Sequence, residues 1–162
     1  MRVAVVGIGH VGLPTAATLA EFENDVIGVD EDEEKIRALQ RGAIPFFEPG
    51  LAELVERGAR TGRLRFSVDA AEAIQSAEVV FLCVGTPARA TGDANLVAVE
   101  RSARGIAPHL SPGVIVVKKS TVPAGTAQRL RQVLRMSRPD LAEDIEVVSN
   151  PEFLREIWPR HP

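Results

Sequence analysis

The chain has 162 residues, 45% of them hydrophobic and 25% charged, about the length of one domain able to bury a core of its own. Nineteen basic residues against 22 acidic ones leave a formal charge of −3, and no Lys/Arg cluster marks a nucleic-acid face, so no nucleic-acid partner is expected. One cysteine rules out an internal disulfide, three scattered histidines give no expectation of a metal site, and no apolar run approaches the roughly 20 residues that cross a membrane.

The amino terminus enters a strand pattern at once, without the shape of a signal peptide, and a cytoplasmic protein is expected. That first apolar run, Val3 to Val6, leads into Gly7, Gly9 and Gly12, spaced G-x-G-x-x-G, and then into a helical stretch from Val11 to Phe22. Between a strand and a helix the spacing reads as a dinucleotide fingerprint rather than as three glycines in a turn. Gly7 permits the tight turn, Gly9 lets the backbone approach a pyrophosphate, Gly12 lets helix and strand pack closely, and the N–H groups opening the helix face the phosphates. A second run, Val26 to Val29, ends at Asp30, 18 residues beyond Gly12. A carboxylate there accepts from the adenosine ribose hydroxyls and repels a 2′-phosphate. Glu31 and Asp32 add acid with no neighbouring arginine, which favours NAD over NADP. Taken alone, Asp30 is equally well placed to cap the helix that EDEEK begins. On that helix Lys35 falls on the exposed face, open to solvent or to a ribose or phosphate contact.

Further along, IPFFEPG (44–50) is a Pro/Gly-bearing loop, and Leu51, Leu54 and Val55 recur at helical spacing. The runs Leu64 to Val68 and Val79 to Val84 read as strands. Cys83 lies inside the second of these, as a small buried hydrophobe with nothing adjacent to lower its pKa. A second loop, TPARATGD (86–93), follows directly. Leu96, Val99, Ala103 and Ile106 form one helical stripe, Ala127, Leu130 and Leu134 another, and Val114 to Val117 and Ile145 to Val148 complete six strand runs. Runs rich in Val and Ile without polar alternation indicate parallel strands covered on both faces. The expected fold is therefore α/β, a Rossmann fold with a doubly wound, six-stranded, mainly parallel sheet and helices on both faces.

Four more stretches follow GIGHVG in order: EPGL (48–51), CVGTP (83–87), KSTVPAGT (119–126) and NPEFLRE (150–156). Together they resemble the nucleotide-sugar dehydrogenases of the UDP-glucose/GDP-mannose dehydrogenase family, the UDP-glucose 6-dehydrogenase branch more than the UDP-N-acetylmannosamine branch, with GDP-mannose dehydrogenases the nearer rival. The resemblance covers the chain to Glu156 and implies an NAD-binding domain over 1–156, with 157–162 a tail where the family's connecting helix would begin. It implies oxidation of a nucleotide sugar, UDP-glucose foremost, at the C6 alcohol to a carboxylate with two NAD⁺, through a thiohemiacetal and a thioester on a cysteine. Carried onto matching positions, Val11, Asp30, Lys35, Thr86, Thr121 and Glu156 touch NAD, and Glu152, Phe153, Leu154, Arg155 and Glu156 line the sugar site.

Thr86 and Pro87 close the fourth strand, where a hydroxyl faces the nicotinamide half of the cofactor; a plain turn threonine is the alternative. Thr121 either caps the helix after it, holds a catalytic water, or does both. Glu152 is a candidate acid/base through that water, against the alternative of a solvated glutamate in a first helical turn. His10 stands where the family has an aromatic residue, near the pyrophosphate. The family's nucleophilic cysteine, with its catalytic lysine and asparagine, has no matching residue among these 162. The expectation is thus a chain that binds NAD without turning over sugar alone, as a truncated product, an excised domain or one part of a split enzyme. A non-catalytic NAD(H)-sensing module is the alternative. Apolar residues around Phe153, Leu154, Ile157 and Trp158 are expected to meet a second copy or a chain carrying the remaining domain.

Overall fold

The computed structural model describes residues 1–85, 96–119, 123 and 125–151. Six strands form one sheet: β1 (Arg2–Val6), β2 (Asp25–Val29), β3 (Leu64–Ser67), β4 (Val79–Leu82), β5 (Ile115–Lys118) and β6 (Glu146–Ser149), in the spatial order β3-β2-β1-β4-β5-β6. Every pairing is parallel, so the sheet is wholly rather than mainly parallel. Helices α1 (Gly12–Glu21), α2 (Glu33–Gln40) and α3 (Leu51–Arg60) cover one face, where Leu13, Ile36 and Val55 pack on Val3, Val5 and Val26. Helices α4 (Ala70–Gln75), α5 (Val97–Ile106) and α6 (Thr126–Ser137) cover the other, where Ile74, Val99 and Leu130 pack on Ala4, Val80 and Val116. This is the doubly wound arrangement, and the winding reverses between β1 and β4, opening a crevice at their carboxyl ends.

The inner strands read as continuous apolar runs because both faces are buried, whereas the edge strand β3 alternates Leu64 and Phe66 inward with Arg65 exposed. Strand β4 stops at Leu82, two residues short of the apolar run, and Cys83 and Val84 continue into the crevice. Helix α2 is capped by Asp32, whose side chain accepts from the Lys35 N–H at 3.0 Å; the capping alternative for Asp30 is thereby corrected. Helix α4 has only six residues and no apolar stripe to announce it, but Asp69 caps it by accepting from the N–H groups of Ala71 and Glu72.

The chain leaves β1 through Gly7 at φ +93°, a left-handed conformation that glycine adopts without strain. Helix α1 begins so close to this turn that a Cβ added at Gly12 would overlap the Gly7 carbonyl oxygen and lie 3.2 Å from the Cys83 Cβ. Gly9 differs from both, for a Cβ there would meet no atom of the described residues within 4 Å.

At the carboxyl end of β5, Lys118 is 3% exposed, its ammonium has no hydrogen-bond or ion-pair partner among the described residues, and burial pushes its pKa below the ordinary value. A folded pKa below the unfolded one means that charge there opposes folding at neutral pH, and that the penalty fades as pH rises toward 10.5. Two outcomes follow for thermal unfolding at pH 7. Gly12→Ala is expected to lose roughly 3 kcal/mol or more, lowering Tm by roughly 6–12 °C or preventing folding. Lys118→Met is expected to raise stability by about 1 kcal/mol, with the gain shrinking at alkaline pH.

Candidate functional site

A cavity of about 370 Å³ opens where β1 and β4 end, lined among others by Gly7, Gly9, Asp30, Lys35, Val84 and Gly85. Its floor is the turn into α1. Leu13 donates to the Gly9 carbonyl and Thr15 to that of Val11, but the N–H groups of Gly9, His10 and Val11 have no acceptor among the described residues. No side chain caps α1 and no acid stands in its first turn. A helix start in that condition keeps its positive end unpaired and suits an anion. The open space over Gly9 is where such an anion would meet the backbone.

Asp30 lies at the end of β2 with its side chain 10% exposed. Its Oδ2 accepts from the Ile8 N–H at 2.8 Å and from Lys35 Nζ at 2.8 Å, and its Oδ1 accepts from the Asp32 N–H at 3.1 Å. Burial alone would raise this carboxyl; the hydrogen bonds from Lys35, Asp32 and Ile8 together outweigh it and hold the pKa below the ordinary value. An ionised carboxylate accepts at about four lone-pair sites, so three partners leave room on Oδ1 for one more donor. Lys35 does not project from an exposed helix face; its side chain folds back onto Asp30 and is 26% exposed, because the Asp32 cap places it in the first turn directly over that carboxylate.

His10 is exposed and its ring centroid lies 4.1 Å from that of Phe46, in the 44–50 loop, at 31° between planes. The loop thus covers the outer side of the α1 start. Cys83 is buried at 7% exposure. Thr86, Pro87, Thr121 and Glu152 through Glu156, together with the 157–162 tail, lie outside the described residues. The residues flanking them meet at the ends of β5 and β6, where Lys119 Nζ donates to Asn150 Oδ1 at 3.3 Å and the Asn150 N–H to the Lys118 carbonyl at 2.9 Å. Arg101 was not foreseen as a site residue: 70 positions from Glu31 in sequence, it donates from Nη2 to Glu31 at 2.9 Å across the cavity. Among the described residues no cluster suits a metal ion and no helix is long and apolar enough to cross a membrane.

Residues 1–159 match the NAD-binding domain of the UDP-glucose/GDP-mannose dehydrogenase family. A UDP-glucose 6-dehydrogenase from Rhizobium meliloti is 47% identical over 157 residues, 96% of this chain and 36% of that protein. Among solved structures, a GDP-mannose dehydrogenase from Pseudomonas aeruginosa superimposes with a TM-score of 0.87 at 36% identity, covering 96% of this chain and 37% of that one. A UDP-D-ManNAc dehydrogenase from Pyrococcus horikoshii gives 0.87 at 29% identity with the same coverage. The chain therefore spans little more than a third of the relatives it matches.

Asp30 ties the α1 turn to β2, and its depressed pKa fixes the sign of its pH dependence. The stabilisation is complete above the unfolded carboxylate range, about 3.9, and is lost as pH falls through the folded value. Asp30→Asn is expected to lower unfolding free energy at pH 7 by about 1–3 kcal/mol, with the difference from the parent chain narrowing toward pH 3, as read by denaturant unfolding at the two pH values.

Proposed function

Because the chain belongs to the UDP-glucose/GDP-mannose dehydrogenase family, as its NAD-binding domain, we propose that it is the cofactor-holding part of an enzyme that oxidises UDP-glucose to UDP-glucuronate, and that these 162 residues alone bind NAD without turnover. The observation that carries the reading is the opening over Gly9, where three N–H groups without an acceptor among the described residues stand beside a turn hydrogen-bonded to Asp30. The residues fit the cofactor. The amides of Gly9, His10 and Val11 would hold the pyrophosphate, and the remaining site on Asp30 Oδ1 would accept from an adenosine ribose hydroxyl, with Lys35 holding that carboxylate ionised and in place. Bound NAD⁺ supplies the hydride acceptor for alcohol oxidation.

On the family resemblance alone, Thr86 and Pro87 would serve the nicotinamide half, Thr121 would hold a water, Glu152 would exchange a proton through it, and Phe153, Leu154, Arg155 and Glu156 would serve the sugar. The UDP-glucose assignment is supported by the 47% identity to an enzyme of that name and by the order of the EPGL, CVGTP, KSTVPAGT and NPEFLRE stretches. GDP-mannose is the competing substrate. Inactivity of the isolated chain follows from its thiols: Cys83 is the sole cysteine, it is buried beneath the α1 turn, and a covalent route needs an exposed, activated nucleophile. Turnover then requires a domain of different sequence that carries that thiol.

Titration of the purified chain with NADH, followed by fluorescence, is expected to show saturable binding with no conversion of UDP-glucose in the presence of NAD⁺. Gly9→Ala is expected to keep the parent Tm within a few degrees, since its Cβ meets open space, while weakening NADH binding by about tenfold or more as that Cβ takes the space of the phosphate. Unchanged NADH affinity in Gly9→Ala, or UDP-glucose oxidation by the pure chain, would contradict the proposal.

A further inference from the structure

The cavity beside Asp30 is lined by two cations as well as two acids. Arg101, on α5, donates from Nη2 to both carboxylate oxygens of Glu31 at 2.9 and 3.3 Å, while Lys35 is engaged by Asp30, and all four side chains line the same space. The Asp30–Lys35 pair is neutral as a unit, so Asp30 by itself offers an incoming phosphate little net repulsion. A 2′-phosphate on the adenosine ribose would carry about −1.5 to −2 charges and would be held by arginine in a site built for it. Here each nearby cation already has a carboxylate partner. The side chains of Arg101 and Glu31 are 70% and 82% exposed, and among the described residues Glu31 is the one carboxylate that pairs with Arg101.

We propose that Glu31 is the specificity-determining residue against 2′-phosphorylated dinucleotides: by pairing with Arg101 it withholds a cation that would otherwise act as the 2′-phosphate ligand. Removing the Glu31 charge frees Arg101 and deletes one repelling carboxylate together. The inference rests on the reading that this cavity takes the adenosine end of NAD.

The test is the ratio of NADPH to NADH dissociation constants, by fluorescence titration of the full chain at low ionic strength. The parent chain is expected to prefer NADH. Glu31→Gln and Glu31→Ala are each expected to lower the ratio by about tenfold through tighter NADPH binding, roughly the worth of one charge-assisted contact, and the gain should fade with added salt. Glu31→Gln combined with Arg101→Ala is expected to restore most of the parent ratio, and Arg101→Ala alone to leave NADPH rejected. An unchanged ratio in both Glu31 variants, or a lowered ratio that persists in the double variant, overturns the role of the pair. Absence of NADH binding to the parent chain is a distinct result: it removes the cofactor reading itself, and this inference with it.

Discussion

The structure depends on one close approach, that of the first turn of α1 to the end of β1. Because Gly12 lacks a Cβ, the helix can start against the Gly7 carbonyl and the Cys83 side chain; because Gly7 sits at φ +93°, the chain can reverse quickly enough to reach that position. The result is a helix terminus delivered to the crevice between β1 and β4, with its amides facing outward. Asp30 then fastens this turn to the neighbouring strand by accepting the Ile8 N–H. The same carboxylate is thus a structural tie and the acceptor next to the open space.

Around that tie the charges form a short circuit of pairs. Lys35 neutralises Asp30, and Arg101 spans from α5 to Glu31 on the opposite wall. The two faces of the doubly wound sheet each carry their own apolar cluster, and at the cavity the contact from α5 to the end of β2 is a polar one. The contrast with Lys118 is instructive. It stands at the same carboxyl end of the sheet, its ammonium buried without a described partner, and its burial disfavours its own charge rather than organising neighbours.

Much of the fold was legible in the sequence because burial on both faces writes itself as unbroken Val/Ile runs, and all six were strands. Their ends were less legible. Val84 is as apolar as Leu82, yet the ladder stops at Leu82, where the crevice begins. Helix α4 was missed for want of an apolar stripe, although Ser67-Val-Asp-Ala carries its cap. Within the site, the roles of Gly7, Gly9 and Gly12 could be read from spacing because each answers a local steric demand. Lys35 could not, since its direction follows from the Asp32 cap rather than from helix periodicity, and Arg101 could not, since only the sheet order brings α5 beside the β2 turn. The family resemblance agreed with the family that residues 1–159 match.

The central claim is that bare backbone amides at the start of α1 receive the cofactor's pyrophosphate. The most direct measurement is a series of amide-resolved NMR spectra of the chain as NAD⁺ is added. The account predicts that the signals of Gly9, His10 and Val11 move furthest and saturate together with those near Asp30. Saturable binding that leaves these three amides unmoved, with the shifts gathered elsewhere on the sheet, would contradict it.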